Sequence, residues 1–284
     1  MQGSNTYLVG TGDKRILIDT GRCERNFSPL LLLNCTFILD LKLTVDVYEI
    51  GAGIEHWIKT LKKVLADEKA EVSTVLVTHW HYDHVGGIAD LKKISPGTIV
   101  YKNQPSTGQE DITDGQVFSV EGATLTAHYT PGHAVDHMCF FLSEESALFT
   151  GDNVLGHGTS MFEDLATYLS SLKKMEEIPG LSGRGYPGHG EVLDDAKDAV
   201  DGYIAHRMAR ERQVLMVMKE GHPLGGDDAM TAMELVQVIY KGVPRELWPA
   251  AEMGVVQILE KLEGERKVIR EGERWVLWER AGLA

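Results

Sequence analysis

Four side chains able to bind a transition metal fall within six residues, His79-Trp80-His81-Tyr82-Asp83-His84, directly after the apolar run Thr74-Val75-Leu76-Val77. Imidazole nitrogens and carboxylate oxygens are donors that zinc accepts. In a tight turn, alternate residues point at one centre while the residues between them pack away. Three more candidates follow strand-like runs: His133 in Thr130-Pro131-Gly132-His133, Asp152 in Phe149-Thr150-Gly151-Asp152, and His189 in Tyr186-Pro187-Gly188-His189-Gly190. Taken singly, each reads as an ordinary surface residue. Taken in order, each with glycine beside it to let the backbone come close, they specify a site for two ions. Such a pair would make a shared water acidic enough to supply a nucleophile near neutral pH.

The elements that must position these residues alternate between strand and helix patterns. Thr6–Val9, a Gly10-Thr11-Gly12-Asp13 turn and Arg15–Asp19 predict a β-hairpin closed by Asp19-Thr20-Gly21. Apolar residues at 54, 57, 58, 61, 64 and 65 share one helical face. After the histidine-rich turn a further helix is expected. Short strands are then expected at 98–101, 116–118, 123–127, 138–142 and 147–150, and a long helix over 195–219. A Gly/Pro-rich break at 221–226 separates a tail of two helices and a hairpin, the first helix capped by Thr231 with Glu234 three residues on. Helix, helix, hairpin resembles a small winged-helix unit. It lacks a dense basic recognition helix, so packing or a substrate-lid role is expected of it rather than DNA binding.

Bulk properties narrow the partners. At 284 residues and 43% hydrophobic content the chain can bury a large core. With 28 Lys+Arg against 42 Asp+Glu, its formal charge of -14 disfavours polyanions such as nucleic acid. Cys23, Cys35 and Cys139 form neither a disulfide framework nor a zinc-finger spacing, which points to a reducing compartment. The opening residues carry no signal-peptide pattern, and Asn34, Asp40, Lys42 and Asp46 interrupt the longest apolar stretch, so a cytoplasmic location is expected.

The order H-x-H-x-D-H, then His, Asp, His, resembles the metallo-beta-lactamase superfamily. That resemblance implies a four-layer αββα sandwich over residues 1–220, with the winged-helix-like unit at 221–284. Carried onto this chain, it implies that His79, His81 and His133 ligate a first zinc, that Asp83, His84 and His189 ligate a second, and that Asp152 bridges them. Asp19 becomes a group that orients a ligand histidine. It implies too that Asp83 is catalytic, steering the attacking water as well as ligating. Wording such as Gly151-Asp152-Asn153-Val154-Leu155-Gly156-His157-Gly158-Thr159 is similar to the beta-lactamase-like protein 2 branch, leaning to its fungal polyketide-pathway members. The resemblance therefore implies a zinc thioesterase releasing an aromatic polyketide from the acyl carrier protein domain of a nonreducing synthase. A single-strand-specific endoribonuclease is the alternative, and for that reaction His157 or His137 would have to protonate the leaving alkoxide. A metal-free scaffold is a third reading, against which the filled ligand positions argue. Carrier proteins are themselves acidic, so docking would need a local basic patch; Arg207, Arg210 and Arg212 are candidates.

Residues 22–50 match nothing in the branch. Leu30–Leu33 and Phe37–Leu39 are apolar but follow no period, and a translated intron or gene-model error is expected there, with a lineage-specific lid as the alternative. The chain also starts later than its relatives, so an edge strand is expected to be missing.

Overall fold

The computed structural model describes residues 3–21, 46–50, 54–221 and 228–281, with the backbone alone for 46–50 and 54–56. The hairpin forms where its alternating apolar residues place it: β1 (Ser4–Val9) runs antiparallel to β2 (Lys14–Ile18), with Tyr7 opposite Ile18 and Val9 opposite Ile16. β3 (Asp46–Ile50) pairs antiparallel with β1 on its other side. β3, at the end of the segment that follows no period, thus forms one edge of the sheet. Residues 22–45, including both apolar runs, lie outside the described residues.

β4 (Glu71–Val77) and β5 (Ile99–Lys102) join in parallel to complete a five-stranded sheet in the order β3-β1-β2-β4-β5. The second sheet is built from β6 (Val117–Val120), β7 (Ala123–Tyr129), β8 (Met138–Leu142), β9 (Ala147–Gly151) and β10 (Gly185–Pro187), in the order β10-β9-β8-β7-β6. The inward sides of the two sheets meet in one core. Tyr7, Val9, Ile16, Ile18 and Leu76 pack there with Leu125, Phe140, Leu142 and Phe149, the Tyr7 and Phe149 rings 5.2 Å apart.

Alternation along the strands sends Leu8, Leu17, Val75 and Val77 the opposite way. They meet Trp57, Leu61 and Leu65 of α1 (Ile54–Glu68), and Leu91, which comes after the single turn α2 (Tyr82–Val85) on α3 (Ile88–Ile94). Each such side chain taken from water stabilises the fold by about 1.5–3 kcal/mol. On the second sheet, α4 (Leu165–Glu176) buries Tyr168, Leu172 and Met175, with the Met175 sulfur 3.8 Å from the buried Cys139 sulfur. The layers are thus helix, sheet, sheet, helix. The periodicity reading does not anticipate α4.

The molecule divides into two compact units, Met1–Glu163 with Thr167–Asp201, and Asp164–Ala166 with Gly202–Ala284. The division falls inside α5 (Ala196–Glu220) rather than at the glycine-rich break after it. In the second unit, β11 (Met230–Thr231) leads into α6 (Ala232–Ile239), then α7 (Trp248–Gly264) and the hairpin β12 (Val268–Glu271) and β13 (Arg274–Leu277). This is the expected winged-helix arrangement. The Thr231 hydroxyl accepts from Glu234 N–H at 3.1 Å and the Glu234 carboxylate accepts from Thr231 N–H at 2.7 Å, a reciprocal cap contributing about 1 kcal/mol. Leu235, Val236, Leu259, Leu262, Val268 and Trp275 fill its core. Arg210 lies over the Tyr240 ring at 4.9 Å, so this member of the arginine trio is engaged in packing within its own unit.

Candidate metal centre

The centre is organised from Asp19, at the end of β2 and in the left-handed region with φ 58. The parallel pairing of β2 with β4 sets its carboxylate against Thr78: Oδ1 accepts from Thr78 N–H at 2.8 Å and Oδ2 from Thr78 Oγ1 at 2.8 Å. Oδ2 also accepts from His84 Nδ1 at 2.7 Å. Having donated to Asp19, the Thr78 hydroxyl accepts from His79 Nδ1 at 2.9 Å. One carboxylate thereby fixes the tautomer of two histidines, leaving the Nε2 lone pair of each turned away from it. Backbone carbonyls do the same elsewhere. His133 Nδ1 donates to Met161 O at 2.8 Å and His189 Nδ1 donates to Gly3 O at 3.0 Å.

The freed nitrogens converge in two groups, His79, His81, His133 and Asp152 in one and Asp83, His84 and His189 in the other, the donor atoms of each group lying within 4.8 Å of one another. In the first, His81 Nδ1 is 2.8 Å from His79 Nε2 and 3.0 Å from His133 Nε2, while Asp152 Oδ2 is 3.6 Å from His133 Nε2. In the second, Asp83 Oδ2 is 3.1 Å from His189 Nε2 and 3.5 Å from His84 Nε2. Asp152 faces both: Oδ1 is 3.5 Å from His84 Nε2 and Oδ2 is 3.2 Å from His189 Nε2. Donors arranged tetrahedrally about an ion at the usual bond lengths stand about 3.3–3.6 Å apart, close to these spacings. Two buried donor atoms, His84 Nε2 and Asp152 Oδ1, have no hydrogen-bond partner. Buried polar atoms without a partner are costly unless a cation takes them, so the donor set fits a pair of metal ions.

The electrostatics arise from the same contacts. Burial works against a charge on His84, but the carboxylates of Asp152 and Asp19 outweigh it and raise its pKa well above the usual value. Burial, with the His84 charge beside it, lowers that of His79. For Asp83 burial is opposed by the His189 hydrogen bond and the charges of His84 and His189, which hold the carboxyl well below its ordinary range. His189, despite its burial, is pushed up to about 10 by hydrogen bonds to Asp152 and Asp83. Below that pH its Nε2 carries the proton that an entering ion must displace. Ion uptake is therefore expected to release protons and to tighten as pH rises toward 10, which titrations with a pH indicator at two starting pH values would show. Affinity independent of pH would refute it.

All seven expected donors are thus brought together, and Asp19 lies where a ligand-orienting group was expected. Of the neighbouring glycines, Gly188 is the one the donors themselves require, since a Cβ there would stand 2.1 Å from Asp152 Oδ1. Gly132 and Gly151 instead make room for the Tyr168 backbone and the His137 ring. His137, one of two candidate proton donors, is fully buried; its Nε2 accepts from Asp152 N–H at 3.1 Å and its Nδ1 faces Thr130 Oγ1 at 3.1 Å. It positions Asp152 and does not face a leaving group. His157, the other, is exposed, with Nδ1 against Gly190. Ser4, whose hydroxyl donates to Asp83 Oδ2 at 2.9 Å, is a site residue to which the sequence reading assigns no role.

This geometry agrees with the comparisons. The pattern described as metallo-beta-lactamase superfamily matches residues 2–104 and 98–189, and the one described as beta-lactamase associated winged helix domain matches 231–275. The chain belongs to the metallo-beta-lactamase superfamily. It is 43% identical over 273 residues to the lactamase-like protein aptB of Emericella nidulans, covering 94% of this chain and 78% of that one. It is also 43% identical over 272 residues, with the same coverage, to the atrochrysone carboxyl ACP thioesterase of Aspergillus chevalieri. Among solved structures, a beta-lactamase domain protein from Burkholderia ambifaria shares the fold with a TM-score of 0.73 at 17% identity, covering 96% of this chain and 87% of that one. The family protein TTHA1429 of Thermus thermophilus does so at 0.67 and 22% identity, covering 96% and 93%. Among the described residues no helix is long and apolar enough to cross a membrane.

Proposed function

We propose that this chain is a dinuclear zinc thioesterase that hydrolyses the thioester joining an aromatic polyketide to an acyl carrier protein. The observation that carries this reading is the pair of neighbouring donor groups, His79, His81 and His133 in one and Asp83, His84 and His189 in the other, with the Asp152 carboxylate facing both. Five imidazoles, two carboxylates and no thiolate suit zinc. Ions held there supply Lewis acidity, making water a competent nucleophile near neutral pH and stabilising charge that develops on a carbonyl oxygen. Asp83, its Oδ2 fixed by Ser4 and His189, orients the attacking water. The C–S bond breaks, and the departing thiolate needs no protonated donor, whereas an alkoxide leaving from RNA does. With His137 buried, a thioester places the lighter demand on these residues. The relative from Aspergillus chevalieri carries the corresponding name, and the formal charge of -14 disfavours RNA.

The test presents zinc-loaded protein with a carrier-bound aromatic thioester and, separately, with labelled single-stranded RNA. Thioester hydrolysis that is abolished by a chelator and restored by zinc is expected. Cleavage of RNA alone, or hydrolysis indifferent to the chelator, would overturn the proposal.

A further inference from the structure

Trp80 and Val135 are large apolar side chains left 50% and 52% exposed, although they stand among the donors: Trp80 between His79 and His81, Val135 two residues after His133. Both line one surface pocket of about 290 Å³, together with Val85, Gln104, and, at its base, the almost fully buried Lys102 and Asp136. Trp80 connects the pocket to the donor groups, because its ring stands edge-on to the His81 imidazole with centroids 4.5 Å apart. Its walls are fixed from beneath. Asp136 Oδ1 accepts from Trp80 N–H at 3.3 Å, Asp136 is ion-paired with Lys102, and Lys102 Nζ donates to the carbonyls of Asn103 at 2.9 Å and Gln104 at 3.1 Å. The turn carrying His79 and His81 is thus tied to the loop carrying His133. A pocket lined by the Trp80 ring, the Val135 and Val85 side chains and the Gln104 amide suits a flat ring system whose edge bears hydroxyl groups.

We propose that this pocket is the acyl subsite: it takes the fused aromatic rings of the substrate between Trp80 and Val135 while the thioester carbonyl lies at the donor groups. The proposal rests on the thioesterase reading and specifies which part of the substrate those residues select.

The experiment compares 2-naphthoyl and acetyl thioesters of N-acetylcysteamine as substrates for zinc-loaded wild type, Trp80→Ala and Val135→Asn. Each substitution is expected to lower the ratio of the two kcat/KM values by about tenfold. An equal fractional loss on both substrates, which leaves the ratio unchanged, would mean that Trp80 serves only to place His81, and kcat/KM unchanged on both would mean that the rings lie elsewhere; either overturns the subsite. Calorimetric binding of 2-naphthol, a neutral probe without a carboxylate to seek the ions, is expected to weaken about tenfold in each variant. Wild type that binds 2-naphthol through Trp80 and Val135 yet hydrolyses no thioester would keep the subsite and remove the thioesterase reading. Hydrolysis combined with 2-naphthol binding indifferent to both substitutions would do the reverse.

Discussion

Asp152→Ala is expected to slow hydrolysis by about a thousandfold, the loss of several kcal/mol of charge stabilisation, and to leave the protein with fewer bound ions than wild type. Asp152 is the one donor whose carboxylate faces both groups, with Oδ2 3.6 Å from His133 Nε2 and 3.2 Å from His189 Nε2, and Oδ1 3.5 Å from His84 Nε2. It is also the strongest influence raising the pKa of His84 against the effect of burial. Removing it leaves a buried imidazole cluster with less negative charge to balance two cations. Asp152→Asn keeps the shape but not the charge, and is expected to fall between the two. Steady-state rates together with ion content per chain check both. Wild-type ion content in Asp152→Ala would mean that the two groups do not share this residue.

The largest expected effect on stability lies outside the donors. Lys102→Met should cost about 3–5 kcal/mol, because Asp136, 1% exposed, would be left as an unbalanced charge in the interior. For a chain of this size that corresponds to a fall in Tm of about 10 °C. Lys102 lies on β5 opposite Val77, at the point where β4 gives way to the histidine-rich turn. The contrast is Lys93 with Asp90, where the lysine side chain is 74% exposed and the pair should contribute under about 1 kcal/mol. Replacing both partners, Lys102→Met with Asp136→Leu, should recover most of the lost stability, since no charge then remains buried. Thermal unfolding of the single and double variants separates these outcomes. A single variant melting within a degree or two of wild type would show that the pair does not tie the turn to the loop.

How much of the fold and the site is legible in the sequence depends on distance along the chain. His79, His81, Asp83 and His84 are local, and a one-turn helix with His84 N–H bonded to His81 O at 2.9 Å is enough to gather them. The Thr231 and Glu234 cap is local as well. His133, Asp152 and His189 become readable through their order, which a resemblance supplies and composition does not. The hidden parts have no residue-type signature. The carbonyls of Gly3 and Met161 that orient His189 and His133 exist at every position, and the Lys102–Asp136 pair joins distant segments by two ordinary charges. α4 carries the same kind of signal as α1, since Leu165, Tyr168, Leu172 and Met175 fall at helical spacing with mostly polar residues between them, so its omission reflects the reading and not the sequence. His137 misleads because its neighbours suggest chemistry, whereas its burial makes it a support for Asp152. β3 misleads because the unpatterned apolar runs before it draw attention from the strand-forming Val47, Tyr48 and Ile50.

The bond from His189 to the Gly3 carbonyl spans 186 residues, and that separation sets an order of events during biogenesis. A nascent chain emerging from the ribosome can shape the histidine-rich turn early, but it cannot present both sets of donors until β10 has been synthesised and seated beside β9. The donor group of Asp83, His84 and His189 is therefore closed by one of the last-made segments of its unit, after the group of His79, His81 and His133 is already in the chain.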